Sequence, residues 1–215
     1  MNNLNEVEQK IAESLLQIKA IKLQPKSPFT WASGWKSPIY CDNRITLSHP
    51  AIRTYIRQKL AKLIQDEFGA VEMISGVATA GIPQGVLVAQ ELGLPFTYVR
   101  SSAKDHGRQN LIEGEVVEGQ RVVVIEDLIS TGKSSLQAVQ ALRNAGCNVV
   151  GLVSIFTYGF EEAAKNFAEA KCTMYSLCNY DALIKVAVEN GYVLESDVDF
   201  LKAWRKDPAN WKPEE

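Results

Sequence analysis

The sequence predicts an α/β fold, a mostly parallel sheet flanked by helices and preceded by a small irregular N-terminal region. Three observations carry this. From Val71 onward, short apolar runs alternate with helix-length segments, the rhythm of β-α-β units. The run Arg121-Val122-Val123-Val124-Ile125 is almost wholly β-branched, as suits a buried parallel strand. The chain has 215 residues, 46% hydrophobic and 22% charged, enough for one domain with a full core.

The elements follow in order. Residues 5–20 place Val7, Ile11, Leu15 and Ile18 on one helical face. Residues 25–44 are rich in Pro, Ser and Trp, and their runs 29–31 and 38–40 suit strands of a small sheet. Ser48-His49-Pro50 opens a second helix, with Ser48 as N-cap and Pro50 in the first turn, ending near Gly69. Residues 73–75 read as a strand, 81–92 as a helix and 95–99 as a strand. A long polar loop, 101–119, leads to the strand 121–125. A helix over 134–144 is closed by Gly146, followed by a strand at 148–156, a helix at 161–170 and a strand at 172–177. Residues 180–192 are helical, and the polar tail beyond Ala203 is expected to fray.

Composition excludes several classes. A net charge of −2 argues against a general nucleic-acid binder. No apolar stretch approaches the roughly 20 residues that span a bilayer. The first residues lack the basic start and apolar run of a secretory leader, so a cytoplasmic location is expected. Cys41, Cys147, Cys172 and Cys178 have no CxxC spacing, and His49 and His106 lie far from most of them. Free thiols, not a protein-built metal site, are expected.

The segment that carries chemistry is Val122–Ser135. Residues after a parallel strand lie at the sheet edge where ligands of open α/β sheets bind. Ser130, Thr131, Gly132, Lys133 and Ser134 can wrap an anion with N–H groups and hydroxyls, and the next helix adds its positive end. Glu126 and Asp127 would repel a phosphate, so they suit sugar hydroxyls instead. A sugar with a terminal phosphate meets both demands. A nucleotide-triphosphatase P-loop is excluded, because Asp127 stands where that motif needs glycine. The bland alternative is a strand-to-helix turn with solvated acids.

This segment, Glu126-Asp127-Leu128-Ile129-Ser130-Thr131-Gly132-Lys133-Ser134, resembles the phosphoribosyl pyrophosphate (PRPP) signature of type I phosphoribosyltransferases. The resemblance implies that family's fold. It also implies that the turn holds the 5′-phosphate and the acids hold the ribose hydroxyls. Arg100 and the loop Lys104-Asp105-His106-Gly107 resemble the catalytic loop of orotate phosphoribosyltransferases. There the arginine, lysine and histidine contact the pyrophosphate of PRPP, and the loop reaches into the neighbouring site of a dimer. The implied catalytic residues are Lys104, His106 and Asp127. The implied partners are PRPP, orotate and a second copy of the chain that shares loop 100–114. Mg²⁺ is the implied cofactor, held mainly by PRPP and water.

Two more segments support the resemblance. Residues 75–83, Ser-Gly-Val-Ala-Thr-Ala-Gly-Ile-Pro, are similar to the family's pyrophosphate loop. Residues 29–40 are similar to the N-terminal hood over orotate, implying base contacts from Lys36, Tyr40 and Ser130. The chain departs from some members at Ala32, Thr79, Ala80 and Ser101, where a lysine or an aromatic stands elsewhere, and at Tyr158, near where some place an orotate-binding arginine. One domain is expected, with a hood over 1–45, a core over 46–180 and a C-terminal helical segment over 180–215. Two rivals stay open: a phosphoribosyltransferase for another base, and a non-enzymatic PRPP sensor.

Overall fold

The computed structural model describes residues 5–31, 33–101 and 111–212. Helix α1 (Glu6–Gln17) begins at a capping box: Asn5 accepts from the Glu8 N–H at 2.9 Å while the Glu8 carboxylate accepts from the Asn5 N–H. It stops short of residue 20 because Lys19 adopts φ 58° and turns the chain into β1 (Ile21–Leu23). Strand β1 pairs antiparallel with β4 (Ile39–Cys41), and β2 (Phe29–Thr30) with β3 (Lys36–Ser37). Together they form the N-terminal hood.

Helix α2 (Pro50–Phe68) takes Pro50 in its first turn as expected, but Ser48 is not its cap. Ser48 ends a 3-10 segment, Asn43–Ser48, so His49 falls at the cap position, without a side-chain bond. The remaining elements are β5 (Met73–Val77), α3 (Gly81–Leu92), β6 (Phe96–Val99), β7 (Ile112–Glu113), β8 (Arg121–Ile129) and α4 (Lys133–Asn144). They are followed by β9 (Asn148–Thr157), α5 (Glu161–Glu169), β10 (Met174–Asn179), α6 (Tyr180–Glu189) and α7 (Val198–Lys206).

The main sheet has the order β10-β9-β8-β5-β6-β7, parallel except for β7 at the edge. From β5 the chain moves one way to β6, then crosses to β8 and proceeds the other way through β9 and β10. The order therefore reverses between β5 and β8, where ligands of open α/β sheets bind.

Three differences from the sequence expectation matter. Strand β8 runs to Ile129, not Ile125, because β9 supplies partners further along: Glu126 faces Ser154 and Leu128 faces Phe156. Strand β10 starts at Met174, not Cys172, after Lys171 (φ 49°) and the Arg143 guanidinium, which donates to the Ala170 and Lys171 carbonyls. The tail does not fray at Ala203: α7 continues to Lys206, and Trp204 is fully buried.

Alternation along β8 builds two cores. Val123 and Ile125 face α1, α2, α3, α6 and α7, whereas Val122 and Val124 face α4 and α5. Helix α1 packs on α6 and β10, so it belongs to the body of the domain in space although it precedes the hood in sequence. Among the described residues, no helix is long and apolar enough to cross a membrane.

Candidate active site

The crevice between the carboxyl ends of β5 and β8 is narrow for a steric reason. A Cβ on Gly81, the first residue of α3, would lie 2.5 Å from the Ile125 carbonyl oxygen, so only glycine lets α3 pack against β8. The loop Ala78-Thr79-Ala80 is thereby held beside the acid pair. The other wall is the turn Ser130-Thr131-Gly132, with Gly132 at φ 77° leading into α4. A Cβ there would lie 2.5 Å from the Phe167 ring. The turn is anchored by Asn166, which donates to the Thr131 carbonyl at 3.0 Å. Its free N–H groups and the α4 N-terminus make an anion cradle.

Glu126 and Asp127 lie within β8, near its carboxyl end, and not in the loop. Glu126 is 6% exposed; its carboxyl accepts from Ser135 Oγ at 3.2 Å and from the Asp127 N–H at 3.1 Å. Burial, then the neighbouring Asp127 carboxylate, push Glu126 up to about 9. Burial also raises Asp127, opposed by its hydrogen bond with Glu126 and by Arg44. At neutral pH Glu126 therefore keeps its proton. Such a pair can both donate to and accept from adjacent hydroxyls.

Asn43 sets the height of this pair. Its Nδ2 donates to the Asp127 carbonyl at 2.7 Å, its own carbonyl accepts from Thr46 Oγ1, and Thr46 accepts from Gln84 of α3. Asn43 was not among the sequence candidates; the only signal was a buried-type polar residue beside Asp42 in the hood, and no periodicity marks it.

Two cavities flank the turn. One, of about 380 Å³, runs along α4 and brings together Ala78, Arg100, Ser101 and Ser134. Arg100 lies 3.6 Å from Glu113 across the β6-β7 edge. The second, of about 280 Å³, is lined by Thr30, Trp31, Tyr40, Cys41, Leu128, Ser130 and Tyr158. It brings together Tyr40 and Ser130, two of the residues named from the sequence. Lys36 stands at its rim, its Nζ donating to Thr30 Oγ1 at 2.8 Å. Ile129, placed with the turn in the sequence, buries its side chain in the α4–α5 core and gives its carbonyl to the Tyr158 N–H. Lys133 and Ser134 are exposed at the start of α4. Ala32, Lys104 and His106 lie outside the described residues.

Comparison with known proteins now bears on this geometry. Residues 45–189 match the phosphoribosyl transferase domain family. An orotate phosphoribosyltransferase of Phocaeicola vulgatus is 58% identical over 96% of this chain and 97% of its own length. The chain belongs to the orotate phosphoribosyltransferase family. A Listeria monocytogenes orotate phosphoribosyltransferase is 53% identical over 95% of this chain and 98% of its own. Among solved structures, the orotate phosphoribosyltransferase of Aeropyrum pernix matches with a TM-score of 0.74 at 27% identity, covering 86% of this chain and 99% of that one. The Leishmania donovani UMP synthase matches at 0.76 and 26% identity over 92% of this chain, which spans 42% of that longer protein. The central sheet and its flanking helices are thus those of a type I phosphoribosyltransferase.

Proposed function

We infer that this chain transfers the 5-phosphoribosyl group of PRPP to orotate, giving orotidine 5′-monophosphate and pyrophosphate, a step of pyrimidine biosynthesis. One observation carries this reading beyond the family match. Ser130 belongs both to the phosphate turn and to the wall of the aromatic cavity, so the two subsites fit the two ends of a single ligand, a base joined to a phosphorylated sugar.

The chemistry follows from the charges. The bond from C1′ to the pyrophosphate oxygen breaks, its electron pair leaving with pyrophosphate, and C1′ bonds to a ring nitrogen of orotate, whose proton passes to water. Positive charge grows on the ribose as pyrophosphate leaves, so preorganised electrostatics dominate the barrier. Asp127 offers its negative charge to the ribose, while Glu126 hydrogen-bonds a hydroxyl. Thr131, Gly132, Lys133 and Ser134 hold the 5′-phosphate through backbone and hydroxyl donors. Arg100, with Lys104 and His106 of the loop, stabilises the departing pyrophosphate. Lys36, Tyr40 and Ser130 contact the base.

Mg²⁺ fits this site only as an ion carried by the substrate. Among the described residues no group of three or more His, Cys, Asp or Glu could hold a metal, and burial pushes Glu126 up to about 9, which weakens it as a ligand. The cation would supply charge neutralisation to the pyrophosphate, with its other ligands from PRPP and water. A homodimer that shares loop 100–114 is carried by the resemblance of that loop to its family counterpart. A cytoplasmic location is supported by the cysteines, all four unpaired and three of them buried.

The reading is tested by following orotate absorbance with PRPP and Mg²⁺, and by offering uracil, adenine and hypoxanthine in its place. Turnover with orotate supports it. Turnover only with another base favours the first rival, and PRPP binding without turnover favours a sensor.

A further inference from the structure

Among the described residues three buried side-chain atoms have no hydrogen-bond partner: Arg57 Nε, Arg100 Nη1 and Gln84 Oε1. The two arginines each face a carboxylate, Glu91 and Glu113, and remain partly exposed. Gln84 has neither relief. It lies one turn into α3 and is 1% exposed. Its Nε2 donates to Thr46 Oγ1 at 3.1 Å, and Thr46 is itself fully buried. The direction of this bond is forced. The single Thr46 hydroxyl proton is spent on the Asn43 carbonyl at 2.6 Å, so Thr46 can only accept from Gln84. The amide must therefore turn its nitrogen toward Thr46 and leave its oxygen without a donor.

A buried acceptor without a donor lowers stability. Methionine has nearly the same length and would fill the space with no orphaned atom. The chain thus carries an amide here at some expense to the fold, and what the amide adds is a directed link. Gln84 bonds Thr46, Thr46 bonds Asn43, and Asn43 Nδ2 donates to the Asp127 carbonyl at 2.7 Å. At the other end, Gln84 sits between Gly81, which abuts the Ile125 carbonyl, and Gly85, where a Cβ would lie 2.6 Å from the Phe96 ring. Helix α3 begins directly after the loop 78–80, whose Ala78 lines the crevice cavity with Arg100 and Ser134. The link therefore spans from the element that carries this loop to the acid pair.

We propose that Gln84 is a positioning residue for PRPP: it sets the register of α3 and the loop 78–80 against Asp127, so that groups for the two parts of the sugar phosphate are held at a fixed spacing. This rests on the PRPP part of the functional reading and not on the identity of the base. Hydrogen bonds in series polarise one another, so cutting the first loosens the rest. The base cavity lies outside this link, since its lining residues include neither Gln84, Thr46 nor Asn43.

Gln84→Met on the full chain tests this, with PRPP binding in the presence of Mg²⁺ followed by titration calorimetry, beside steady-state kinetics and thermal melts. The expected result is a Kd for PRPP raised about three- to tenfold, the range of one neutral hydrogen bond. The KM for orotate should stay within twofold, and the Tm should equal or exceed the wild type's. The double variant Asn43→Ala/Gln84→Met should bind PRPP no more weakly than Asn43→Ala alone, because both cut one link. An unchanged Kd for PRPP overturns the proposal, and so do additive losses in the double variant. A variant that melts well below the wild type, or does not fold, also overturns it, since the side chain would then serve packing. A wild-type chain that does not bind PRPP overturns this proposal together with the functional reading. One that binds PRPP but turns over another base overturns only the orotate reading, and the Kd comparison still decides the role of Gln84.

Discussion

Asn43 Nδ2 donates to the main-chain carbonyl of Asp127 at 2.7 Å, tying the base of the hood to the acid pair across 84 positions of sequence. Both ends of this bond are constrained. Asn43 is 1% exposed and also accepts from Cys41 Sγ, and Asp127 lies within the strand β8. The hood is therefore tied directly to the acid pair, and the link predicts what happens when it is cut.

Asn43→Ala is expected to destabilise the protein by about 1–3 kcal/mol, because it leaves the Asp127 carbonyl without its donor. It should also lower kcat/KM for PRPP by roughly tenfold or more as the acids lose their position. Urea unfolding and steady-state kinetics check this. Unchanged stability together with unchanged kcat/KM would show that the bond does not hold Asp127.

Glu126 makes stability depend on pH. Below about 4.5, its ordinary value, the carboxyl is protonated in folded and unfolded chains alike. Between there and about 9 the unfolded chain releases the proton while the folded chain keeps it, so stability falls as pH rises. Glu126→Gln removes that loss. Its Tm should exceed the wild type's by a margin that grows from pH 5 to pH 9, at roughly 2–4 °C per kcal/mol recovered. A margin that is constant with pH would count against a protonated Glu126.

Gly132→Ala should disrupt the phosphate turn on two grounds, a positive φ and a collision with Phe167. A strained non-glycine residue costs about 1–3 kcal/mol, and displacing the cradle by an ångström lowers kcat/KM for PRPP by roughly a hundredfold. Trimming the neighbour in Gly132→Ala/Phe167→Ala relieves the collision but not the φ, so kcat/KM should stay low. Full recovery in the double variant would assign the whole effect to the collision.

Trp204 reaches from α7 to the hood. It packs on Trp31, Tyr158, Phe160 and Tyr180, and its indole N–H donates to the Lys36 carbonyl at 3.1 Å. Trp204→Ala should cost about 3–5 kcal/mol and raise the KM for orotate more than that for PRPP, since it loosens the base cavity first. Thermal melts and kinetics at a temperature where the variant is folded test both. An orotate KM equal to the wild type's would separate α7 from the site.

Mixing subunits tests the shared loop. Lys104→Ala and Asp127→Asn chains should each be nearly inactive. Refolded together in equal amounts, they should regain about a quarter of wild-type activity, because mixed dimers carry one intact site of two. No recovery in a verified dimer would place the loop in its own subunit's site.

Much of this protein is legible along the chain. The alternation from Val71 determines the α/β class, because hydrophobic period is a local property. The acid pair followed by Ser130-Thr131-Gly132 marks the ligand edge, because an anion cradle is built from consecutive residues. The boundaries were less legible: β8 runs to Ile129 only because β9 supplies partners, and β7 forms only because Tyr98 and Val99 await a neighbour. Only tertiary structure decided how the site is assembled. Asn43 reaches Asp127, Trp204 closes on Lys36 across 168 positions, and Tyr158 meets Tyr40 and Ser130 around one cavity. Such contacts follow from how the chain packs in space, and no spacing or period along it records them.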